Sequence, residues 1–544
     1  MDRIAGSHSL MKIARFPVRF WIIALALAWA FDLLFYAKAP GISFPIWMVL
    51  ILVGICLLAV WEKVRPAWPN LALMVACLAM ALVTFARAEL MTRFVNFAGS
   101  MTLLGLLLAT LRTGNWLHFH LVDQLMALLR LLWDGFTRPP GIWRQAFTRG
   151  SEEGNETTWK MVRKPLLAVV RGLLLALPVV LVLGVLLASA DPIFGDWTKS
   201  LAKLLNLSLW FEYLFRLFYI LIFTYLFVGY LANGILPARE EGKPDPNKAW
   251  MKPFLGWIEA MVVLLSVDIL FAIFVAIQFR YFFGGQANIN VAGYTYSEYA
   301  RRGFSELVVV AVLSLGLYLS LGLVTHQETI RKRRIFSGLA IGLLGLVVII
   351  LVSAFQRLTL YEQAYGFTQL RTYTHVFIVW LAALLGAIIL LEILQQRGRF
   401  ALALVLACLG FSLTLGFLNV DGFIARANVG RALQGKELDG HYLDGLSADA
   451  VPTLVRAFDD PALPAVAHEQ LGAGLACRTF KLADEKTSAW PSFHLAEAQS
   501  RRLLVENQEQ WKDYSVRVSD LNGRYVQLGN QVYRCDPAPY TRMD

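Results

Sequence analysis

The apolar residues of this chain come in long unbroken blocks, and blocks of about helix-spanning length recur from Phe20 almost to Asn419. A bilayer core is crossed by roughly 20 apolar residues in helical form. Only helices and closed barrels satisfy their backbone groups in lipid. Barrel strands would be about ten residues long and alternate in polarity, and these blocks do not alternate. The charged fraction of 16% agrees, since soluble domains hold about a quarter. The expected fold class is an all-α polytopic membrane protein of about eleven transmembrane helices with a small α+β soluble domain at its C-terminus. The spans are read as 20–37, 42–61, 70–89, 94–111, 165–188, 210–232, 254–279, 304–325, 336–354, 372–394 and 400–419.

Basic clusters orient these spans. Arg3, Lys12, Arg15 and Arg19 precede the first, and Lys63 and Arg65 follow the second. Arg138, Arg144, Arg149, Lys160, Arg163 and Lys164 precede the fifth, and Arg239, Lys243, Lys248 and Lys252 follow the sixth. Arg331 to Arg334 follow the eighth, and Arg397 and Arg399 follow the tenth. With eleven spans all of these fall on one side, which the positive-inside rule makes cytoplasmic. The N-terminus is then expected inside and the C-terminus outside. From Lys436 onward there are 12 basic and 16 acidic residues, so the membrane part carries the excess behind the net charge of +11. That excess orients the chain and adheres to anionic lipid; no basic–aromatic motif accompanies it that would point to nucleic acid. Ala37-Lys38-Ala39 has the look of a signal-peptide cleavage site, but Pro40 follows it and Asp32 lies in the stretch before it, so the first helix is expected to stay uncleaved.

Three parts are expected: 1–164 with four spans, 165–434 with seven, and 435–544 as the soluble domain. In the first, Leu117–Phe136 has the pattern of an interfacial amphipathic helix. In the last, helices are read at 447–458, 463–482 and 492–511, and strands at 514–518, 524–528 and 531–535. Cys56, Cys77 and Cys408 sit in spans as buried thiols. Cys477 and Cys535 are the only pair in the soluble domain and invite one disulfide in an oxidising compartment.

Catalytic signatures are missing. The chain has no P-loop, dinucleotide-binding glycine motif, HExxH or GxSxG, and no cofactor is expected. His118 and His120 are the one close histidine pair, and an interfacial position suits solvation better than a metal. Charge inside the spans is what remains. Ionisable groups there are costly and usually face the bundle interior with a partner. Arg216, Arg301, Arg357, Arg371 and Arg426 form the candidate ligand-binding set, because guanidinium matches phosphate and carboxylate bidentately. Glu212, Asp268, Glu306, Glu362 and His375 form the candidate charge-balancing or proton-carrying set. Glu212 with Arg216, Arg302 with Glu306, and Arg371 with His375 are each four apart and share a helix face. Two readings are open: ion pairs within an aromatic belt, or an outward-facing polar vestibule. Asp268 lies mid-span, too deep to snorkel, and either pairs structurally or carries protons.

Several stretches resemble a known family. They are Ser189-Ala190-Asp191-Pro192-Ile193-Phe194, Tyr299-Ala300-Arg301-Arg302-Gly303-Phe304, Tyr361-Glu362-Gln363-Ala364-Tyr365-Gly366 with Arg371, Asn419-Val420-Asp421-Gly422-Phe423 with Arg426, and Leu438-Asp439-Gly440-His441-Tyr442-Leu443. The set resembles DUF4173, a family of bacterial multi-pass membrane proteins, over about Pro165 to Leu454. The resemblance implies a bacterial membrane protein and no particular reaction. Three function classes follow: transport or handling of an anionic or lipid-like ligand; a scaffold or sensory subunit whose residues 435–544 bind a protein partner; and an enzyme acting on a lipid-linked substrate. The last is disfavoured by the short first outer loop, Lys38–Gly41, because polytopic glycosyltransferases usually carry an acidic catalytic motif in a large one.

Overall fold

The computed structural model describes residues 16–152, 207–236, 253–283, 304–326, 329–484, 489–519, 523–529 and 531–535, with isolated positions between 172 and 196. The chain is an all-α polytopic membrane protein with a small three-stranded sheet near its C-terminus. Among the described residues, ten helices are long and apolar enough to cross a membrane. The expected span at 165–188 lies outside them, apart from scattered positions.

The first group of helices is α1 (Pro17–Phe35), α2 (Ser43–Trp61), α3 (Pro69–Ala86) and α4 (Leu90–Thr110). Two further helices, α5 (Leu121–Thr137) and α6 (Pro139–Glu152), follow, and the long α7 (Leu207–Ile235) completes the group. Proline at the first turn starts α1 and α3, where its missing N–H costs nothing. The Glu89 carboxylate starts α4 by accepting from the Met91 and Thr92 amides at 2.6 and 2.7 Å. Helix α5 covers most of the amphipathic stretch expected at Leu117–Phe136. It buries Leu131 and Gly135, and it leaves Leu125, Leu129, Leu132, Trp133 and Phe136 exposed as an apolar stripe. Gly135 and Gly229 let α5 and α7 touch backbone to backbone: a Cβ at Gly229 would stand 2.5 Å from the Gly135 carbonyl oxygen.

The second group comprises α8 (Trp257–Phe283), α9 (Phe304–Val324), α10 (Ile330–Tyr365), α11 (Gln369–Ile393) and α12 (Phe400–Leu418). A separate buried apolar cluster, centred on Leu343, Leu344, Val347 and Leu351 of α10, holds it together. Helix α10 contains the expected span at 336–354 and extends it at both ends: it has 36 residues, or about 54 Å, against the roughly 30 Å of a hydrocarbon core. The Arg331–Arg334 cluster forms its first turns, and Arg357 and Glu362 lie in its last ones. No proline interrupts it, and Gly366 at φ +86° ends it.

The tail begins with α13 (Val420–Leu433), whose apolar face shares one core with Leu443, Leu454, Leu471 and Trp511. It continues through α14 (Gly440–Asp444), α15 (Val451–Phe458), α16 (Ala465–Asp484) and α17 (Leu495–Glu506). The antiparallel sheet β1 (Val516–Ser519), β2 (Gly523–Leu528), β3 (Gln531–Arg534) follows in that order. Val516 faces Val526, and Val526 faces Tyr533. Cys477 on α16 and Cys535 after β3 are joined by a disulfide, with Cα atoms 5.3 Å apart.

Candidate functional site

Among the described residues, the arginines singled out in the sequence, Arg216, Arg357, Arg371 and Arg426, do not gather at one place. Arg216 on α7 closes on α1. Its Nε donates to Asp32 Oδ1 at 3.0 Å, Nη2 reaches the other carboxylate oxygen, and the Tyr219 hydroxyl also donates to Asp32. Its guanidinium lies over the Tyr36 ring at 4.7 Å. The expected partner on its own helix face, Glu212, stands only at 4.0 Å. The reason is geometric: Asp32 is 2% exposed and meets the guanidinium fork along two bonds, whereas a neighbour on the same helix meets it end-on. Arg216 is thereby an internal clamp between α1 and α7.

A different set of polar groups follows the seam of α8 and α10. Deepest is Asp268, on α8 beside Gly342 of α10, where an added Cβ would stand 3.8 Å from Oδ2. Its Oδ1 is shielded and has no hydrogen-bond partner among the described residues. Ten residues further along α8, about 15 Å, the Gln278 carbonyl accepts from Arg357 Nη2 at 2.8 Å and from Ser353 Oγ at 3.4 Å. Beyond them Glu362, 3% exposed, meets His375 Nδ1 at 3.0 Å, and His375 Nε2 meets the Thr359 hydroxyl at 3.3 Å. At the Gly366 end of α10 Arg371 donates to the Gly366 carbonyl and lies over Tyr361 at 4.0 Å. Arg431 of α13 donates to the Gln363 and Ala364 carbonyls at 3.2 and 3.1 Å. These are carbonyls that the end of α10 leaves without helical partners. The two guanidinium groups repel each other enough to lower the Arg431 pKa, after the larger effect of burial, and no carboxylate pairs with either among the described residues.

The expected pairing of Arg371 with His375 is therefore corrected. Arg371 turns back onto the α10 terminus, and His375 turns inward to Glu362. Arg426 is exposed on α13. Glu306 opens α9 and accepts from the Ser305 hydroxyl at 2.9 Å. Arg301 and Arg302 lie outside the described residues, so the expected Arg302–Glu306 pair does too.

The tail is seated at the same end of the helices. Asp449 Oδ2 accepts from the Ala88 and Glu89 amides, at 2.6 and 3.0 Å, in the α3–α4 turn. Asp421 is fully buried and accepts from Gln369 Nε2 at 2.8 Å and the Ser447 amide at 2.7 Å. Burial nevertheless pushes its pKa up. Asn428 brackets Phe367 with two bonds of 2.9 Å. The Ile42 amide donates to the Phe493 carbonyl at 2.9 Å, and His494 Nε2 donates to the Thr84 carbonyl at 3.0 Å.

His494 is 3% exposed and its pKa is lowered, first by burial and then by Arg93, against the opposing pull of Glu497, the Thr84 carbonyl and Asp449. The unfolded chain then binds a proton more readily than the folded one. The seat is expected to lose stability as pH falls below the ordinary histidine value of 6.5 and to hold full strength above it. Urea midpoints of the tail at a series of pH values check this, and His494→Gln should flatten the slope.

One buried network was not legible in the sequence. Glu392, fully buried at the other end of α11, accepts from Arg397 Nε at 2.9 and 3.0 Å, from Ser337 Oγ at 2.6 Å and from the Tyr318 hydroxyl at 2.8 Å. It ties α9, α10 and α11 together. The signal was an acid inside a span with an arginine five residues later. No group of three or more His, Cys, Asp or Glu side chains able to hold a metal converges among the described residues.

The family model described as a domain of unknown function, DUF4153, matches residues 72–457. That is a different family number from the DUF4173 suggested by the motifs, and the match starts within α3, so it takes in helices that the resemblance left out. No curated protein matches, and no solved structure matches.

Proposed function

The chain belongs to the DUF4153 family, and on that premise we propose that it moves or handles an anionic or lipid-like ligand at its outer face, coupled to a proton or cation held at Asp268. The carrying observation is the half-buried Asp268 carboxyl midway along α8, whose Oδ1 is shielded and without a hydrogen-bond partner among the described residues. A group so costly to keep in a membrane serves as a functional site by default. The polar steps above it support the reading. Gln278 with Arg357, then His375 with Glu362, then Arg371 with Arg431 lead from Asp268 to the turn at Gly366. The last two guanidinium groups offer donors to a phosphate or carboxylate. The positive-inside rule applied to the basic loops favours an extracytoplasmic position for this turn and for the tail, taken as residues 435–544, in an inner membrane of bacterial type.

The test is reconstitution into vesicles holding an internal pH dye, challenged with a panel of organic phosphates and carboxylates. The wild type is expected to change its internal pH with at least one of them, and Asp268→Asn to abolish that response while still inserting. A response that Asp268→Asn leaves intact removes Asp268 from the mechanism. Arg371→Ala with Arg431→Ala should weaken the response to an external ligand, read as a rise in the half-saturating concentration.

A further inference from the structure

One turn of the tail is fixed to the ends of two spans. Residues Trp490–Ser492 form a single 3-10 turn with Pro491 at its start. It is closed by the Ser492 amide on the Ala489 carbonyl at 2.9 Å and the Phe493 amide on the Trp490 carbonyl at 3.1 Å. The residues that follow make the two bonds already described, from Ile42 at the N-cap of α2 to Phe493 and from His494 to Thr84 in the last turn of α3. Gly41 lets the two backbones meet, since a Cβ there would stand 2.5 Å from the Phe493 carbonyl oxygen. Helices α2 and α3 have 19 and 18 residues, close to the roughly 20 that cross a bilayer core. They have no length to spare, so a turn held against the start of one and the end of the other lies at the boundary between hydrocarbon and headgroups.

The side chains at this level are apolar and outward. Trp490 is 64% exposed, and Phe493 and Leu495 beside it are exposed as well, while Pro491, Ser492 and His494 are buried. Their surface runs on into that of the spans. The Phe493 ring lies 6.0 Å from Phe85 of α3, and Phe44, two residues past Ile42, meets Phe97 of α4 at 4.9 Å. Phe94 and Phe97 are exposed along α4. Trp210 and Tyr213 are exposed where α7 begins, at the end where Arg216 meets Asp32. Exposed aromatic rings gathered at one level of a set of spanning helices mark the headgroup layer, and an indole, apolar in its body and polar at its N–H, suits that layer.

We propose that the Trp490–Phe493 turn anchors the tail to the lipid surface, with the Trp490 indole inserted among the headgroups and Phe493 and Leu495 bordering it. The tail is then held to the membrane twice, by its hydrogen bonds to the span ends and by this wedge. The anchor is independent of Asp268 and of which side of the membrane the tail occupies, so it stands or falls apart from any transport.

Spin-label accessibility in the full-length protein tests this, in nanodiscs of phosphatidylethanolamine and phosphatidylglycerol. Trp490→Cys and, as a control, Val518→Cys on exposed β1 each receive a nitroxide, with the exposed Cys56 and Cys408 replaced by alanine. Oxygen concentrates in hydrocarbon, and a nickel chelate stays in water. The ratio of oxygen to nickel collision rates is expected to be severalfold higher at position 490 than at 518. Ala489→Cys, on an exposed neighbour, keeps the tryptophan and reads the same level should the first variant fail to fold. Nickel access at 490 equal to that at 518 puts the turn in water and overturns the anchor. Exclusion of both reagents overturns it too, because protein and not lipid then covers the turn.

Discussion

Asp32→Ala is expected to destabilise the protein by about 3–5 kcal/mol, the usual cost of stranding one member of a buried ion pair. The carboxylate is 2% exposed and takes two bonds from Arg216 and one from Tyr219. Removing it leaves a guanidinium between α1 and α7 with Glu212, at 4.0 Å, as its one carboxylate neighbour among the described residues. Thermal unfolding of the detergent-solubilised protein measures the loss. The double variant Asp32→Leu/Arg216→Met should recover most of it, because well-packed apolar replacements of such pairs are often neutral. The comparison also separates the two readings of Arg216. A clamp survives the apolar exchange with its activity intact, whereas a ligand-binding arginine does not. A change within about 0.5 kcal/mol for Asp32→Ala, the ordinary range of surface substitutions, would mean that the pair holds nothing together.

The second large effect belongs to the tail. Cys477 and Cys535 are 58 residues apart in sequence, and closing a loop of that length is worth about 4 kcal/mol in the chain-entropy account. Cys477→Ser is expected to open the sheet and its contact with α16, where Ala473, Val526 and Tyr533 pack around the bridge. Limited proteolysis should then cut within 465–535 while the spans stay protected. Dithiothreitol should do the same to the wild type and nothing further to the variant. A variant as resistant as the wild type would assign the sheet's stability to packing alone.

What could be read from the sequence was what local chemistry writes there. Span length and the amphipathic stripe of α5 depend on residues close together in the chain, and among the described residues each appears near where it was expected. Helix α10 shows where hydropathy stops being informative. The apolar window ends at the arginines and at Arg357, but backbone geometry carries the helix through both. The candidate site was half legible. The residues on the α8–α10 seam were mostly named, yet their partners were not. Asp32 and Arg216 are 184 positions apart, and Asp268 is defined by what fails to stand beside it. The four-residue spacings misled at Arg371 because a guanidinium at a helix end prefers the orphan carbonyls there to a histidine one turn away.

The seat of Asp449 on the α3–α4 turn has a consequence for how the protein is made. The two residues that it joins, Ala88 and Asp449, are 361 positions apart. During synthesis at about 5–20 residues per second, the turn leaves the ribosome long before its cap exists, so its amides wait in solvent for some tens of seconds. The cap arrives only after every intervening span has been made. Seating therefore reports that the spans between turn and tail have been inserted. A chain that has skipped one insertion event delivers Asp449 to the side opposite the turn, leaving the turn uncapped and the tail open to quality-control proteases.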